Sequence, residues 1–267
     1  MTSLAYTLTD SRTMLRRNLR RLLRYPSMTL LLVGMPIVFL LLFVFVFGGQ
    51  LSHGLGHGLA GGHTGRSGYL NYVTPGILLM TVAAAVQGTA IVVAMDMTSG
   101  ITDRFRTMAI ARSSVLAGHV LASMVQTIVG FAIVLAVAVA LGFRPTAGPL
   151  HWLGAIGLLT LFTFALIWLA TALGLAAKSV ETASNTPMFL TLLPFLGSAF
   201  VPAATMPVVL RQFATYQPFT PVTETVRGLL TGTPIGHNAI AAIAWCIGIA
   251  LASYLWAIHL YTHRRPR

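Results

Sequence analysis

Acidic side chains are almost absent from this chain. Five Asp and Glu stand against 17 Lys and Arg in 267 residues, and the four charged types together make up 8% of it. Soluble domains carry about 25% charged residues, so this chain cannot clothe itself in water-binding side chains. With 56% hydrophobic residues and a mean hydropathy of +0.81, it reads as a polytopic membrane protein. Cysteine is limited to Cys246, which excludes an intramolecular disulfide and a Cys-based metal cage; Cys246 reads as a small apolar residue in the last span. Lysine is limited to Lys178. A phosphate-cradling GxxxxGK[ST] loop would need glycine at positions 172 and 177, where Ala172 and Ala177 stand, so no ATP site of that type is expected. No carboxylate falls in mid-span: Asp96 and Glu181 lie at span ends, Asp10 and Asp103 outside, and Glu224 in the last outer segment. That argues against an ion-driven transporter, which uses ionisable groups inside the membrane, and leaves a substrate-driven facilitator open. The lack of HExxH, of paired carboxylates and of a His–Ser neighbour pair in the spans argues against an intramembrane enzyme.

What is present is apolar sequence in long runs. A helix crosses the hydrocarbon core with about 20 apolar residues, and six stretches are expected to do so: 28–47, 72–95, 115–143, 152–177, 187–201 and 239–261. The fifth is short, so it either continues into 203–209 or stops inside the bilayer. The first reads as a span rather than a signal peptide, because its basic lead is long and no small-residue cleavage site follows. Thirteen of the 17 basic residues then fall on one side: Arg12, Arg16, Arg17, Arg20, Arg21 and Arg24 in the first tail, Arg104, Arg106 and Arg112 in the second loop, Lys178, and Arg264, Arg265 and Arg267 in the last tail. Arg66, Arg144, Arg211 and Arg227 fall on the other. The positive-inside rule places both termini in the cytoplasm, as an even span count requires. The expected organisation is a cytoplasmic tail over 1–27, a six-span domain over 28–261 and a basic tail over 262–267, all α-helical.

Four segments outside the spans carry pattern. Residues 11–24 read as an amphipathic interfacial helix: Leu15, Leu19, Leu22 and Leu23 share one face and the arginines fill the other, with Asp10 or Ser11 as cap and Pro26 as terminator. It serves either as a topology anchor alone or also as a surface for a cytoplasmic partner. The loop 96–114 places Asp103, Arg104, Arg106 and Arg112 together in a charge-poor chain, which fits either a docking surface or ordinary topology-setting chemistry. The outer loop 48–68 holds His53, His57 and His63 among glycines. His53 and His57 have metal-ligand spacing, but the glycines oppose a helix there, so a flexible linker is expected. Residues 205–234 are punctuated by prolines and read as an outer helical hairpin, with pieces at 208–216 and 222–230. Thr220 is the expected cap of the second piece, Pro221 its first residue, Val222, Val226, Leu229 and Leu230 its apolar stripe, and Gly232 its end. Glu224 and Arg227 are expected as an i, i+3 pair on its wet side.

Two of these segments, DRFRTMAIARSSVLAG after the second span and PFTPVTETVRGLL before the last, resemble the permeases of type-two ABC exporters, most closely the daunorubicin-resistance permeases of bacteria. The resemblance covers nearly the whole chain. It implies a transport subunit of the bacterial plasma membrane that forms a homodimer or heterodimer with a second permease. It also implies two copies of a separate ATPase, which holds ATP and Mg, while no cofactor is bound by this chain. In that family the interfacial helix and the loop after the second span meet the ATPase, which carries over here to Arg16, Arg17, Arg20, Asp103, Arg104, Arg106 and Arg112. This loop has Asp and several Arg where many relatives are rich in Glu.

A substrate path is the remaining question. Thr74, Thr81 and Gly88 recur at heptad spacing in the second span, and Ser184, Thr191 and Ser198 in the fifth, beside Pro187 and Pro194. Small faces serve helix packing; the functional alternative is a weakly polar cavity wall formed by Thr81, Gly88, Thr191, Pro194 and Ser198. Phe39, Phe43, Phe189, Phe195 and Phe200 would give it an apolar lining. Such a path suits a hydrophobic or amphiphilic drug or natural product, moved by alternating access. The partners expected are therefore the ATPase, a second permease, membrane lipid and a hydrophobic small molecule, not nucleic acid. A lipid or polysaccharide exporter of the same superfamily, or a non-transporting scaffold or immunity protein, is the alternative.

Overall fold

A computed structural model describes residue 16 and residues 26–48, 65–98 and 112–263. The described residues are all-helical, without strands. Helix α1 is Pro26–Leu41 and continues as the π-wound stretch Leu42–Phe47; α2 is Gly65–Thr98; α3 is Arg112–Ala140; α4 is Pro149–Ala176. Two short helices follow, α5 (Val180–Asn185) and α6 (Met188–Leu192), then turns through residue 200 and the 3-10 turn Ala203–Thr205. Helices α7 (Val208–Tyr216), α8 (Phe219–Thr231) and α9 (Asn238–His263) complete the chain.

Four helices are long and apolar enough to cross a membrane: Gly65–Thr98, Leu116–Ala140, Pro149–Ala176 and Asn238–Thr262. The chain is thus an integral membrane protein by the length and composition of its helices. Leu32–Phe47 is a shorter apolar helix. The expected fifth span is the main departure. Pro187 precedes α6, and Pro194 and Gly197 follow it. Proline supplies no amide donor and its ring crowds the preceding turn, so the backbone leaves the α ladder after Leu192 and passes through turns such as Leu196 N to Leu192 O and Gly197 N to Pro194 O.

The ends of other elements shifted by a few residues. Helix α2 begins at Gly65, seven residues before the expected start, because Gly68 through Thr74 find a buried place against neighbouring elements. Thr98 still belongs to α2 and Arg112 already to α3, so the ends of the expected loop 96–114 are helical. Helix α7 has the expected range. Helix α8 starts two residues earlier than expected, with Pro218 at its cap and no side-chain capping bond, and it ends at Gly232, whose φ of 74° is the left-handed conformation glycine adopts without strain.

Helix α2 is the most enclosed of the four long helices and α9 the least. Around α2 pack α4, α3, α1 and α8. The α2–α4 approach is close enough that a Cβ on Gly174 would sit 2.6 Å from the Ala90 carbonyl oxygen and 2.9 Å from Val93 Cβ. Tyr69, Ile77, Leu79, Phe162, Leu166 and Phe219 fill the space between these helices. The apolar residues left outside, among them Leu121, Ile128 and Ile133 on α3 and Ile240, Leu251 and Leu255 on α9, suit a hydrocarbon solvent rather than water.

Candidate functional site

Where the fifth segment leaves helical geometry, its carbonyls lose their ladder partners. A buried polar group left unmet costs about 1–3 kcal/mol, so irregular backbone is buried only where protein satisfies it. Here α8 and α2 do so. Arg227 Nη2 donates to the Ser198 carbonyl at 2.8 Å and to the Ala199 carbonyl at 3.4 Å, while its Nε donates to the Tyr72 carbonyl at 3.1 Å. Its Nη1 donates to Glu224 Oε1 at 2.6 Å. The guanidinium carbon lies 3.7 Å from the centre of the Tyr72 ring. The Tyr72 hydroxyl in turn donates to the Ser198 carbonyl at 3.0 Å, and the Tyr69 hydroxyl to the Phe200 carbonyl at 3.3 Å. Thr220 Oγ1 accepts from the Ser198 amide at 3.2 Å, and Gln217 Nε2 donates to the Leu193 carbonyl at 3.1 Å.

The expected place of Arg227 on a wet face is therefore wrong. The residue is 3% exposed, and only Glu224, at 31%, reaches outward. Of the expected stripe Val222, Val226 and Leu230 are buried and Leu229 is half-buried, but Phe219, Thr220, Thr223, Thr225 and Thr231 are buried too. Helix α8 has almost no solvent face. Thr223, Thr225 and Thr231 turn their hydroxyls back to the carbonyls of Phe219, Pro221 and Arg227, four residues earlier, which removes them as polar groups and lets the helix sit inside. On the other side of the break Gly76 meets Ala199 so closely that a Cβ there would lie 2.7 Å from both Ala199 Cβ and its carbonyl oxygen.

Beside the pinned segment lies an aromatic cluster. Phe43 stacks on Phe200 with centroids 4.4 Å apart, Phe200 on Phe195 at 4.9 Å, and Phe195 meets Phe39 edge-on at 5.3 Å. Of the five phenylalanines read as a lining, these four come together. Phe189 stands apart from their ring contacts, 56% exposed. The cluster is partly open, since Phe195 is 36% and Phe47, against Phe43, 43% exposed.

The other expected pathway residues scatter. Thr81 is fully buried and bonds back to the Ile77 carbonyl at 3.2 Å. Gly88 is exposed, with nothing within 4 Å of where a Cβ would be. Thr191 is half-buried on α6 and donates to the Met188 carbonyl at 2.6 Å. Pro194 and Ser198 are buried in the break. Ser198, Pro194 and Phe195 thus belong to one structure, while Thr81 and Gly88 belong to other faces of α2. Among the expected coupling residues, Arg16 is helical and exposed; Arg17, Arg20, Asp103, Arg104 and Arg106 lie outside the described residues, as do His53, His57 and His63, and Arg112 is placed only as the first residue of α3. At the start of α5 the Ser179 hydroxyl accepts from the Thr182 amide at 3.2 Å. A hydrogen bond from the same side chain holds the Glu181 carboxyl below its ordinary range. Among the described residues no three His, Cys, Asp or Glu side chains gather where a metal ion would be held.

The sequence left two features unread. Arg227 carried a signal: a helix with threonine on every turn and one basic residue, in a chain nearly free of charge, has no polar face to expose. The second is a buried contact between Asp96 and His119, with 3.4 Å between Oδ2 and Nε2, which joins residues 23 apart in sequence and has no local pattern.

Comparison with known proteins matches this architecture to a family. Residues 9–231 match the family described as ABC-2 type transporter. The daunorubicin resistance ABC transporter permease protein DrrB1 of Streptomyces coeruleorubidus is 29% identical over 228 residues, which cover 85% of this chain and 74% of that one. The probable doxorubicin resistance ABC transporter permease protein DrrC of Mycobacterium tuberculosis is 24% identical over 177 residues, 65% of this chain and 64% of its own length. The family match spans most of the length of this chain, and this chain belongs to the ABC-2 type transporter family.

Proposed function

We propose that the chain is the membrane-spanning permease subunit of an ATP-driven exporter, and that it moves a hydrophobic or amphiphilic compound outward by alternating access. The observation that carries this is its similarity, over 85% of its length, to a permease named for daunorubicin resistance. In this reading α1, together with its π-wound end, and the broken fifth segment complete six membrane passages with the four long helices. Both tails and the loop after α2 lie in the cytoplasm, where Lys and Arg concentrate. The energy comes from a separate ATP-binding cassette ATPase, taken as two copies, which holds ATP and Mg. Arg16, Arg17, Arg20, Asp103, Arg104, Arg106 and Arg112 form the surface it meets. A second permease subunit, identical or not, covers apolar faces that a single chain leaves open.

The substrate surface we assign is the aromatic cluster with Phe195, Pro194 and Thr191 at its edge. Aromatic faces offer a flat ligand stacking area without demanding matched hydrogen bonds, and the neighbouring irregular segment lets that surface change shape. Thr81 and Gly88 then serve the packing and the outer face of α2. The test is ATP hydrolysis by the permease–ATPase complex in liposomes. Addition of daunorubicin should stimulate hydrolysis and be accompanied by its accumulation on the opposite side. Hydrolysis indifferent to every amphiphile tried, with no accumulation, would overturn the drug-export reading.

A further inference from the structure

Helix α3 presents His119, Ser123, Gln126 and Gly130 at intervals of four, three and four residues, a spacing that gathers them on one helix face. Each of the four meets α1 or α2. His119 Nε2 lies 3.4 Å from Asp96 Oδ2 of α2. Thr89 of α2 donates its hydroxyl to Ser123 Oγ at 2.9 Å. Gln126 Nε2 donates to Thr29 Oγ1 of α1 at 3.2 Å. At Gly130 the helices close up: a Cβ there would sit 3.0 Å from Leu32 Cδ2 and 3.1 Å from Thr81 Cγ2. The seam therefore runs from an ionisable pair at one end, through hydroxyl and amide contacts, to bare backbone packing at the other.

The ionisable end faces the loop. Asp96 stands two residues before the end of α2 at Thr98, and His119 seven residues after the start of α3 at Arg112, so the pair ties together the two helices that enter and leave residues 99–111. The side chains are 6% and 5% exposed, and Leu116 and Val120 flank His119 with apolar surface. Burying such a pair is costly, and well-packed hydrophobic residues of similar size often stabilise a protein as well or better. What the pair adds that leucine does not is direction: it fixes the longitudinal register of α2 against α3, which apolar side chains allow to slide.

We propose that Asp96 and His119 are positioning residues for energy coupling. They lock the ends of α2 and α3 at the loop into one lever, so that a displacement of the loop by the ATPase moves both helices together instead of bending one past the other. The inference rests on the reading of the chain as an ATP-driven permease. Its consequence is that loss of the pair uncouples transport from hydrolysis without removing either the membrane fold or the ATPase.

The experiment compares the wild-type complex with His119→Leu, His119→Gln, Asp96→Asn and the exchange Asp96→His with His119→Asp, each reconstituted with the ATPase. The readouts are daunorubicin moved per ATP hydrolysed, hydrolysis itself, and co-purification. His119→Leu should lower the ratio by about fivefold or more, with hydrolysis and co-purification near the wild-type level. His119→Gln, which keeps a donor toward Asp96, Asp96→Asn, which keeps an acceptor toward His119, and the exchanged pair should retain most of it. A His119→Leu protein with the wild-type ratio would overturn the proposal. So would loss of insertion, hydrolysis and transport in the same proportion in His119→Leu, which is the mark of a purely structural pair. A wild-type complex that neither hydrolyses ATP nor moves the probe overturns the permease reading itself, and the lever with it.

Discussion

Replacing Arg227 tests whether a side chain, rather than a backbone ladder, holds the fifth segment in place. Arg227→Met keeps most of the volume and removes every donor. The lost interactions are hydrogen bonds to the Tyr72 and Ser198 carbonyls at 3.1 and 2.8 Å, a longer one to Ala199, the contact with the Tyr72 ring, and the pair with Glu224. A hydrogen bond from a charged donor contributes about 1.5–3 kcal/mol, and a desolvated cation–π contact about 2. The Glu224 carboxylate is 31% exposed, so water screens its share, and an exposed pair contributes about 1 kcal/mol at most. Removing the guanidinium also ends the cost of burying it, so the net loss is smaller than the sum, about 3–5 kcal/mol. For a chain of this length each kcal/mol corresponds to about 2–4 °C in the unfolding midpoint, which puts Arg227→Met on the order of 10 °C below wild type.

Cys246 provides the assay. It is the only cysteine and is fully buried, so a thiol-reactive dye reports unfolding of the detergent-solubilised protein as the temperature rises. Arg227→Lys should recover less than half of the loss, because an ammonium cannot reach the Tyr72 and Ser198 carbonyls in the fork that a guanidinium spans. Glu224→Gln should cost about 1 kcal/mol or less. The reasoning fails if Glu224→Gln costs as much as Arg227→Met, since the surface pair rather than the carbonyl clamp would then be holding the helix. It fails equally if Arg227→Met melts with the wild type.

Gly76→Ala should destabilise by about 1–3 kcal/mol in the same melt, because the new methyl would stand 2.7 Å from Ala199. In contrast, Gly88→Ala, with nothing within 4 Å, should be neutral or stabilise by up to about 1 kcal/mol through helix propensity. Thr191→Phe should depress transport more than the amount of protein in the membrane, since Thr191 lies four residues before Phe195 and is not fully buried; equal loss of both would mark it as a packing residue. Arg104→Glu and Arg106→Glu should each weaken retention of the ATPase in a mild-detergent purification, with insertion unchanged, and full retention and transport would remove those residues from the docking surface.

The long helices were readable because each is specified locally. Pro149 at the start of α4 and the apolar run behind it need no tertiary information, and Gly232 ends α8 by its own backbone freedom. The range of α7 was legible for the same reason, enclosed between Pro207 and Pro218. The fifth segment was legible only as apolar. Its prolines announced a disturbance, but whether a disturbed helix kinks or opens into turns depends on what accepts its freed carbonyls, and here that partner is 29 residues further on. Arg227 was misplaced because an i, i+3 pair says that two side chains are neighbours, not which medium surrounds them. Asp96 was visible as a carboxylate at a span end, but its meeting with His119 was not, since it requires the α2–α3 register to be known first. The aromatic cluster lay between: four of its members were named from composition, and Phe189 was excluded only by the position of α6.

The fastening of Ser198 and Ala199 by Arg227 bears on how the protein is made. A polypeptide enters the membrane from its N-terminus, and the fifth segment is synthesised 29 residues ahead of the guanidinium that fastens Ser198. During that interval its carbonyls have no α8 to meet. A chain halted before residue 227 should leave the segment open to protease or to a membrane-embedded chaperone, whereas one extended through Gly232 should protect it. The arginine then acts as an assembly checkpoint: the fifth segment is fastened only when α8 has joined it.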